Sequence, residues 1–291
     1  MLLREVEYAR PVDVAEALEL LASHDNARVL AGGQTLVNVM KLRALSPDRV
    51  VDITRIPELR GISVLADGSL AIGAATTYAE LSEAPEVAAA RPLVAEVASI
   101  IADVQVRNRG TIGGNACLNL PTGHFPPVLV AVAAELTIAS RDGERVVPAD
   151  EFFEAPFTTA VRPGELLASI RIPPRRLGQG EAFAALSAGQ ESQSIVHVAA
   201  SVQLDGRVEE VRVAVGCIAP RPLRAVGVER ALVGGAPDAA AVHDAVRGFG
   251  ASIDPQGDVN ASAEFKRHAA EVLVERALLQ AIERGSVAIG D

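Results

Sequence analysis

Two short runs of glycine and small polar residues are the parts of this chain best suited to holding a ligand. The first is Leu30-Ala31-Gly32-Gly33-Gln34-Thr35-Leu36, and the second is Arg109-Gly110-Thr111-Ile112-Gly113-Gly114-Asn115-Ala116-Cys117. Paired glycines accept positive φ and let backbone N–H groups approach a ligand with no side chain in the way. Consecutive N–H groups near a helix start form a concave anion site, and Thr35 adds a hydroxyl that caps the helix or donates to a phosphate oxygen. In the second run Thr111 and Asn115 flank the glycine pair, and an Asn amide both donates and accepts. The first run by itself reads equally well as a tight strand-to-helix turn with nothing bound. Two such runs, eighty residues apart, suggest two surfaces closing on one extended polar ligand such as a dinucleotide.

The familiar phosphate motifs are missing. Neither run has the G-x-G-x-x-G spacing of a Rossmann fold, the G-x-x-x-x-G-K-[ST] phosphate loop is absent, and so is the G-x-S-x-G serine elbow. No paired carboxylates or oriented triad stand out, so no protein acid–base catalyst is assigned. Acidic residues number 37 against 27 basic ones, for a net charge of −10. That sign argues against nucleic acid and against anionic membrane surfaces as partners. With only two cysteines, Cys117 and Cys217, the chain lacks the four thiolates that hold an iron–sulfur cluster. The longest apolar stretch, Val128 to Ala134, is far short of a span of about 20 residues, and the N-terminus does not read as a secretory signal. The expectation is a soluble, cytoplasmic protein with no metal site of its own.

Several elements must position these loops. Asp13 reads as the N-cap of a helix carrying Val14, Ala17, Leu18 and Leu21 on one face. Strands are expected at Arg28–Ala31 and Arg49–Ile53, with a helix over Thr35–Arg43 between them, so residues 1–56 read as a small α/β unit. Beyond it, Asp67-Gly68, Asp142-Gly143 and Asp205-Gly206 signal hairpins, with the first pair expected to supply positive φ at both positions. Pro85–Ala102 reads as one helix, Ala133–Ser140 and Glu165–Ile172 as strands. A break at Pro173-Pro174 marks a domain boundary, followed by strands near 182–187, 195–204 and 208–215. The tail over Ala263–Arg284 reads as a helix with Phe265, Val272, Leu273, Leu279 and Ile282 on its apolar face. His197 reads as a satisfied core residue, Cys217 as buried and inert, and Cys117 as the thiol nearer a bound ligand.

Taken together, Ala31-Gly32-Gly33-Gln34-Thr35-Leu36, Met40-Lys41-Leu42-Arg43, the segment Gln105 to Asn115 and Gly164 to Pro173 resemble the FAD-binding medium subunit of molybdenum hydroxylases. The likeness is to the carbon monoxide dehydrogenase and xanthine dehydrogenase type, and runs from about Tyr8 to the C-terminal helix. It implies an α+β fold with two FAD-binding subdomains of the vanillyl-alcohol-oxidase/PCMH kind, at residues 1–56 and 57–175. A C-terminal domain of a small antiparallel sheet and helices follows at 178–291. By resemblance, the backbone of Ala31 to Thr35 holds the pyrophosphate with Leu36 a further cofactor-binding residue, Thr111, Gly113, Gly114 and Asn115 contact phosphates and ribityl, and Leu167 packs near the adenine. Molybdenum cofactor and [2Fe–2S] clusters are expected on two partner subunits of a heterotrimer, whose further dimerisation is left open. The flavin then passes electrons to an external acceptor.

The chain departs from that pattern at two places. Where relatives carry an acidic residue for the ribityl hydroxyls, this chain has His124. Where they carry basic residues, an Asp and an aromatic near the flavin ring, it has Ala185, Ser187, Ala188, Gly189, Ser192 and Gln193. Gln190, Glu191 and Gln193 are candidate replacement hydrogen-bonders there; a polar loop at a strand edge is the plainer reading. Two other functions therefore stay open: a self-contained flavin oxidoreductase of the same fold, and a structural subunit that has lost FAD.

Overall fold

The computed structural model describes residues 3–189 and 193–290. The chain divides into two compact units. One runs up to Leu118 and adds Glu135–Phe152 and Thr158–Ile172; the other comprises Asn119–Ala134, Phe153–Phe157 and the chain from Pro173 onward. No helix among the described residues is long and apolar enough to cross a membrane.

The first unit opens with a three-stranded parallel sheet of β1 (Glu7–Ala9), β2 (Ala27–Leu30) and β3 (Arg49–Asp52), ordered β1-β3-β2. Crossovers through α1 (Val14–Ala22) and α2 (Leu36–Lys41) make that parallel order possible, since parallel strands need a long connection. Asp13 caps α1 by accepting the Glu16 N–H at 2.8 Å, and Ala17, Leu18 and Leu21 enter a core with Val51, Ile53, Ile56 and Leu59. Tyr8 donates its hydroxyl to Asp52 at 2.5 Å, tying the ends of β1 and β3 together. Helix α2 stops where Arg43 turns to φ 59°, two residues past its last helical residue.

A five-stranded antiparallel sheet completes this unit: β4 (Ile62–Val64), β5 (Leu70–Gly73), β6 (Glu135–Ser140), β7 (Gly143–Pro148) and β8 (Leu166–Ile172), in the order β4-β5-β8-β6-β7. Between β4 and β5 the Gly68 N–H donates to Leu65 O, the Leu65 N–H donates to Ser69 O, and only Gly68 has positive φ, at 82°. The expectation of positive φ at both Asp67 and Gly68 is therefore corrected to a turn with one left-handed glycine behind it. Pro85–Ala102 is also not one helix. Three helices, α3 (Tyr78–Glu83), α4 (Pro85–Ala90) and α5 (Pro92–Ile100), occupy 78–100, because Pro92 has no N–H to continue α4 and pushes Arg91 out of the helical region. A short α6 (Val104–Arg107) precedes the second glycine run.

The second glycine run is not wholly a loop. It passes into helix α7 (Ile112–Leu118), whose first turn contains Gly113 and Gly114.

In the second unit α8 (Phe125–Ala131) precedes a four-stranded antiparallel sheet of β9 (Gln179–Ser187), β10 (Ser194–Leu204), β11 (Val208–Gly216) and β12 (Leu223–Arg224), hydrogen-bonded in that order. Helices α9 (Val226–Leu232), α10 (Ala239–Val246) and α11 (Ala263–Gly290) follow. One sheet face, with Ala182, Val196, Val198, Val213 and Val215, packs on Leu273, Val274, Ala277, Leu278 and Ala281 of α11. On the opposite face Arg212 donates to Val130 O near the end of α8 at 2.8 Å. The α11 face differs from the expected one: Leu273 and Ile282 are buried, but Phe265 is 46% and Val272 39% exposed. The small residues Ala270, Ala277 and Ala281 define the seam instead, since they let the helix lie close to the sheet.

Candidate functional site

The first glycine run leaves the C-terminal end of β2, the end at which parallel sheets place ligands. Gly33 has φ 72°, and the chain enters α2 by the bond from the Val37 N–H to Gly33 O at 3.1 Å. Thr35 occupies the N-cap position but caps nothing. Among the described residues, the backbone N–H groups of Gly32, Gly33, Gln34, Thr35 and Leu36 donate to no protein acceptor. A run of unused amides around a left-handed glycine suits an anionic group.

The second run is built differently. The Ile112 N–H donates to Thr76 O, the Gly113 N–H to Ala74 O and the Gly114 N–H to Thr111 Oγ1, all at 3.0 or 3.1 Å. Thr111 and Gly113 are thus buried structural members, and a Cβ on Gly113 would stand 2.4 Å from Ala74 O. Asn115 hydrogen-bonds the Tyr78 hydroxyl through its side chain, and its Oδ1 is buried with no partner. Burial pushes the Tyr78 hydroxyl up to about 12, so it stays a neutral phenol. Tyr78 was missed in the sequence, although the Thr77-x-x-Glu80 capping box that seats its helix is legible there.

The fold brings the two runs into contact. A Cβ on Gly32 would lie 2.1 Å from Arg109 O and 2.8 Å from Gly110 Cα, so Gly32 is the only residue type that fits. Gly110 in turn packs on the Tyr78 ring, and the Gly114 Cα faces Ala31. Leu167, 4% exposed, lies on β8, which packs against α7. The Cys117 thiol is buried and pushed up to about 12.

His124 sits in the second unit, as the N-cap residue of α8. It is a mostly buried side chain: Nε2 lies 3.0 Å from Ser194 Oγ, and Nδ1 has no partner. Its ring stands 5.2 Å from both Phe183 and His197 by centroids. Burial pulls the His124 imidazole down to about 4 and His197 well below its ordinary range. His197 is a fully buried core residue as expected: Nδ1 is 3.4 Å from Cys217 Sγ, and the Gly123 backbone also hydrogen-bonds the ring. Cys217 follows β11 at φ 69° and donates its thiol to Ser194 O at 3.2 Å. This grouping was invisible in sequence because its other members lie 59 to 93 residues from His124 and meet through strand pairing, as in the Ala185–His197 register. Ala185, Ser187, Ala188 and Gly189 are exposed on or just beyond β9; Gln190, Glu191 and Ser192 lie outside the described residues. Among the described residues no group of His, Cys, Asp and Glu could hold a metal.

The buried histidines make stability pH-dependent. Their imidazoles protonate more readily unfolded than folded, so their contribution is complete above about pH 6.5 and declines below it. Each costs about 1.4 kcal/mol per pH unit until its folded pKa is reached. Urea midpoints measured from pH 7.5 to 5 should fall, and the slope should lessen in His124→Phe. A flat profile in the wild type would contradict the buried, neutral pair.

Comparisons with known proteins agree with this architecture. The FAD binding domain in molybdopterin dehydrogenase matches residues 4–175, and the CO dehydrogenase flavoprotein C-terminal domain matches 181–281. The carbon monoxide dehydrogenase medium chain of Hydrogenophaga pseudoflava is 38% identical, covering 94% of this chain and 95% of its own. The glyceraldehyde dehydrogenase medium chain of Sulfolobus acidocaldarius is 34% identical, covering 94% and 97%. A solved carbon monoxide dehydrogenase from Hydrogenophaga pseudoflava, lacking the Mo-pyranopterin moiety of its cofactor, superposes with a TM-score of 0.94 at 38% identity, over 98% of this chain and 99% of that one.

A mixed α+β chain with two glycine runs in contact defines a flavoprotein subunit of a multi-subunit oxidoreductase. More particularly, the chain belongs to the FAD-binding subunit family of the molybdenum hydroxylases, of carbon monoxide dehydrogenase and xanthine dehydrogenase type, and its cofactor is FAD.

Proposed function

We propose that this chain carries electrons from [2Fe–2S] clusters on a small partner subunit, reduced in turn by a molybdopterin large subunit, to an external acceptor. The observation that carries the reading is the unpartnered amide run of Gly32 to Leu36 pressed against the second glycine run. FAD, when bound, supplies the redox centre; the chain's residues position it. On this reading Ala31, Gly32, Gly33, Gln34, Thr35 and Leu36 embrace the pyrophosphate, with N–H donors that need no reorganisation. Gly114 leaves room for the ligand, and Asn115 Oδ1 accepts from a hydroxyl. Thr111 acts one step back, by fixing the Gly114 amide, and Gly113 by seating α7 on Ala74. Leu167 contributes apolar packing toward the adenine, and His124 replaces an acidic contact to the ribityl.

We take residues 1–56 and 57–175 as the two clasping subdomains of a vanillyl-alcohol-oxidase/PCMH-like domain, and 178–291 as the C-terminal flavoprotein domain. A heterotrimer with the [2Fe–2S] and molybdopterin subunits, working in the cytoplasm, suits a chain whose two cysteines are free thiols.

An absorbance titration of the purified full chain with FAD, followed by dithionite, tests the reading. Saturable uptake at a one-to-one ratio and bleaching on reduction are expected. A folded chain that takes up no FAD, alone or with its partner subunits, would favour a scaffold that has lost its cofactor.

A further inference from the structure

Tyr78 lies outside both glycine runs, yet its buried hydroxyl is bonded to the side chain of Asn115, within the second run. We propose that Tyr78 is a positioning residue whose phenol oxygen anchors the Asn115 amide nitrogen, so that Asn115 presents its oxygen, and not its NH2, to the bound cofactor. The inference rests on the flavin reading above and adds a residue to it, one that acts through Asn115. Tyr78 thereby divides the work of the cradle. Anionic groups go to the amide run of Gly32 to Leu36, and a donor group of the ligand, such as a hydroxyl, goes to Asn115.

Four observations carry this, all within the first compact unit. First, Tyr78 is held firmly. It is the first residue of α3, seated by the reciprocal bonds of Thr77 and Glu80, and its own N–H donates to Gly110 O at 3.0 Å. Its ring lies so close to Gly110 that a Cβ there would stand 2.6 Å from Cε2. Second, the bond uses the nitrogen end of the Asn115 amide. Oδ1 is the end without a partner, and the Asn115 bond opposes the burial that raises the phenol, as a donor to the phenol oxygen does. Third, the two ends of an Asn amide are nearly equal in size, so packing does not choose between them and a hydrogen bond must. A phenol can bond either end; here it takes the nitrogen. An amide that donates at one end and accepts at the other is polarised in the same sense by both bonds, so each strengthens the other. Fourth, the Asn115 N–H is already committed to Thr111 O at 3.0 Å, and the residue follows Gly114, whose Cα faces Ala31 of the first run. The buried oxygen is therefore the group left for a ligand donor, and such an acceptor is costly until a donor arrives.

The test uses the full chain. In FAD fluorescence titrations Tyr78→Phe, which keeps the ring against Gly110, should raise the dissociation constant about five- to tenfold, the worth of one hydrogen bond. The same variant should melt within about 4 °C of wild type, so the loss is not one of folding. Asn115→Ala should weaken uptake at least as much, and adding Tyr78→Phe to it should weaken uptake no further, because Tyr78 acts through Asn115. A tyrosine that only supports the fold would give additive losses. Spectra of the wild type labelled with 13C and 15N in its Asn side chains supply a second readout. FAD should shift the Asn115 carbonyl carbon, and Tyr78→Phe should shift its amide protons in the apo-protein. Additive losses, wild-type affinity in Tyr78→Phe, or an FAD response confined to the Asn115 amide protons overturns this inference, while FAD uptake by the wild type upholds the flavin reading. Failure of the wild type to take up FAD, alone or with its partner subunits, overturns that reading and the inference with it.

Discussion

Gly32→Ala is expected to abolish measurable FAD uptake and to lower the melting temperature of the chain. The added Cβ would stand 2.1 Å from Arg109 O and 2.7 Å from Arg109 C, both backbone atoms that no rotamer change can move. The two glycine runs must separate by about an ångström, and an overpacked site of this kind costs on the order of 3 kcal/mol. For a chain of 291 residues that is about 5 °C in melting temperature. The amides of Gly32 to Leu36 also lose their position relative to Asn115, so binding should suffer more than stability. Gly33→Ala makes a useful contrast. Its new Cβ meets only the side chains of Leu30 and Val37, at 3.2 and 3.3 Å, and the price is a left-handed φ for a residue with a side chain, about 1–2 kcal/mol. Gly114→Val should reduce FAD uptake while largely keeping the fold, since its Cβ crowds only the Thr111 hydroxyl, at 2.8 Å, and lies 3.9 Å from Ala31 Cβ. Should Gly32→Ala bind FAD as tightly as wild type, the two runs do not form one cradle.

The second large effect is expected at Gly180→Ala, on β9. There a Cβ would lie 1.8 Å from Ala281 O and 2.4 Å from Gly285 N, because strand and helix backbones touch directly. The helix cannot retreat without opening the core that Ala277, Leu278 and Ala281 share with Val198 and Ala200. A loss of more than about 3 kcal/mol follows, enough to leave much of the chain unfolded or aggregated at 37 °C. Gly285→Ala, on the helix side of the same contact, meets Gly178 O at 2.8 Å and should cost less. Gly227→Ala is the control: nothing lies within 4 Å of its Cβ, and in the first turn of α9 the substitution should be neutral or stabilising by about 0.5 kcal/mol. Urea denaturation of the three variants measures the order directly. A Gly180→Ala chain as stable as wild type would mean that α11 is not seated on β9 in this way.

Local signals were legible where a residue's own backbone preference decides the outcome. Asp13 as a cap, the strand–glycine–helix order around Gly32 and Gly33, and the turn at Gly68 all follow from φ preferences and side-chain oxygens acting within a few residues. The single helix expected over Pro85–Ala102 failed because composition outweighed Pro92 in the reading, whereas in the chain the missing N–H prevails. The apolar face of α11 was misjudged for a different reason. Side-chain size alone points to Phe265 and Val272, but contact with a sheet at backbone distance selects Ala and Gly.

By itself, then, the sequence determined the two glycine runs, their flanking polar residues, the absence of Rossmann spacing, and through these the family and its cofactor. Only the tertiary structure decided that Gly32 lies against the Arg109–Gly110 peptide, that Thr111 spends its hydroxyl on Gly114, and that Asn115 keeps a buried acceptor unused. The same holds for the knot around His124, whose partner Ser194 is 70 residues away. The physical reason is one of range. Backbone preferences and capping act over a few residues and are written in order, whereas close approach and burial depend on which distant backbones the packed core brings together.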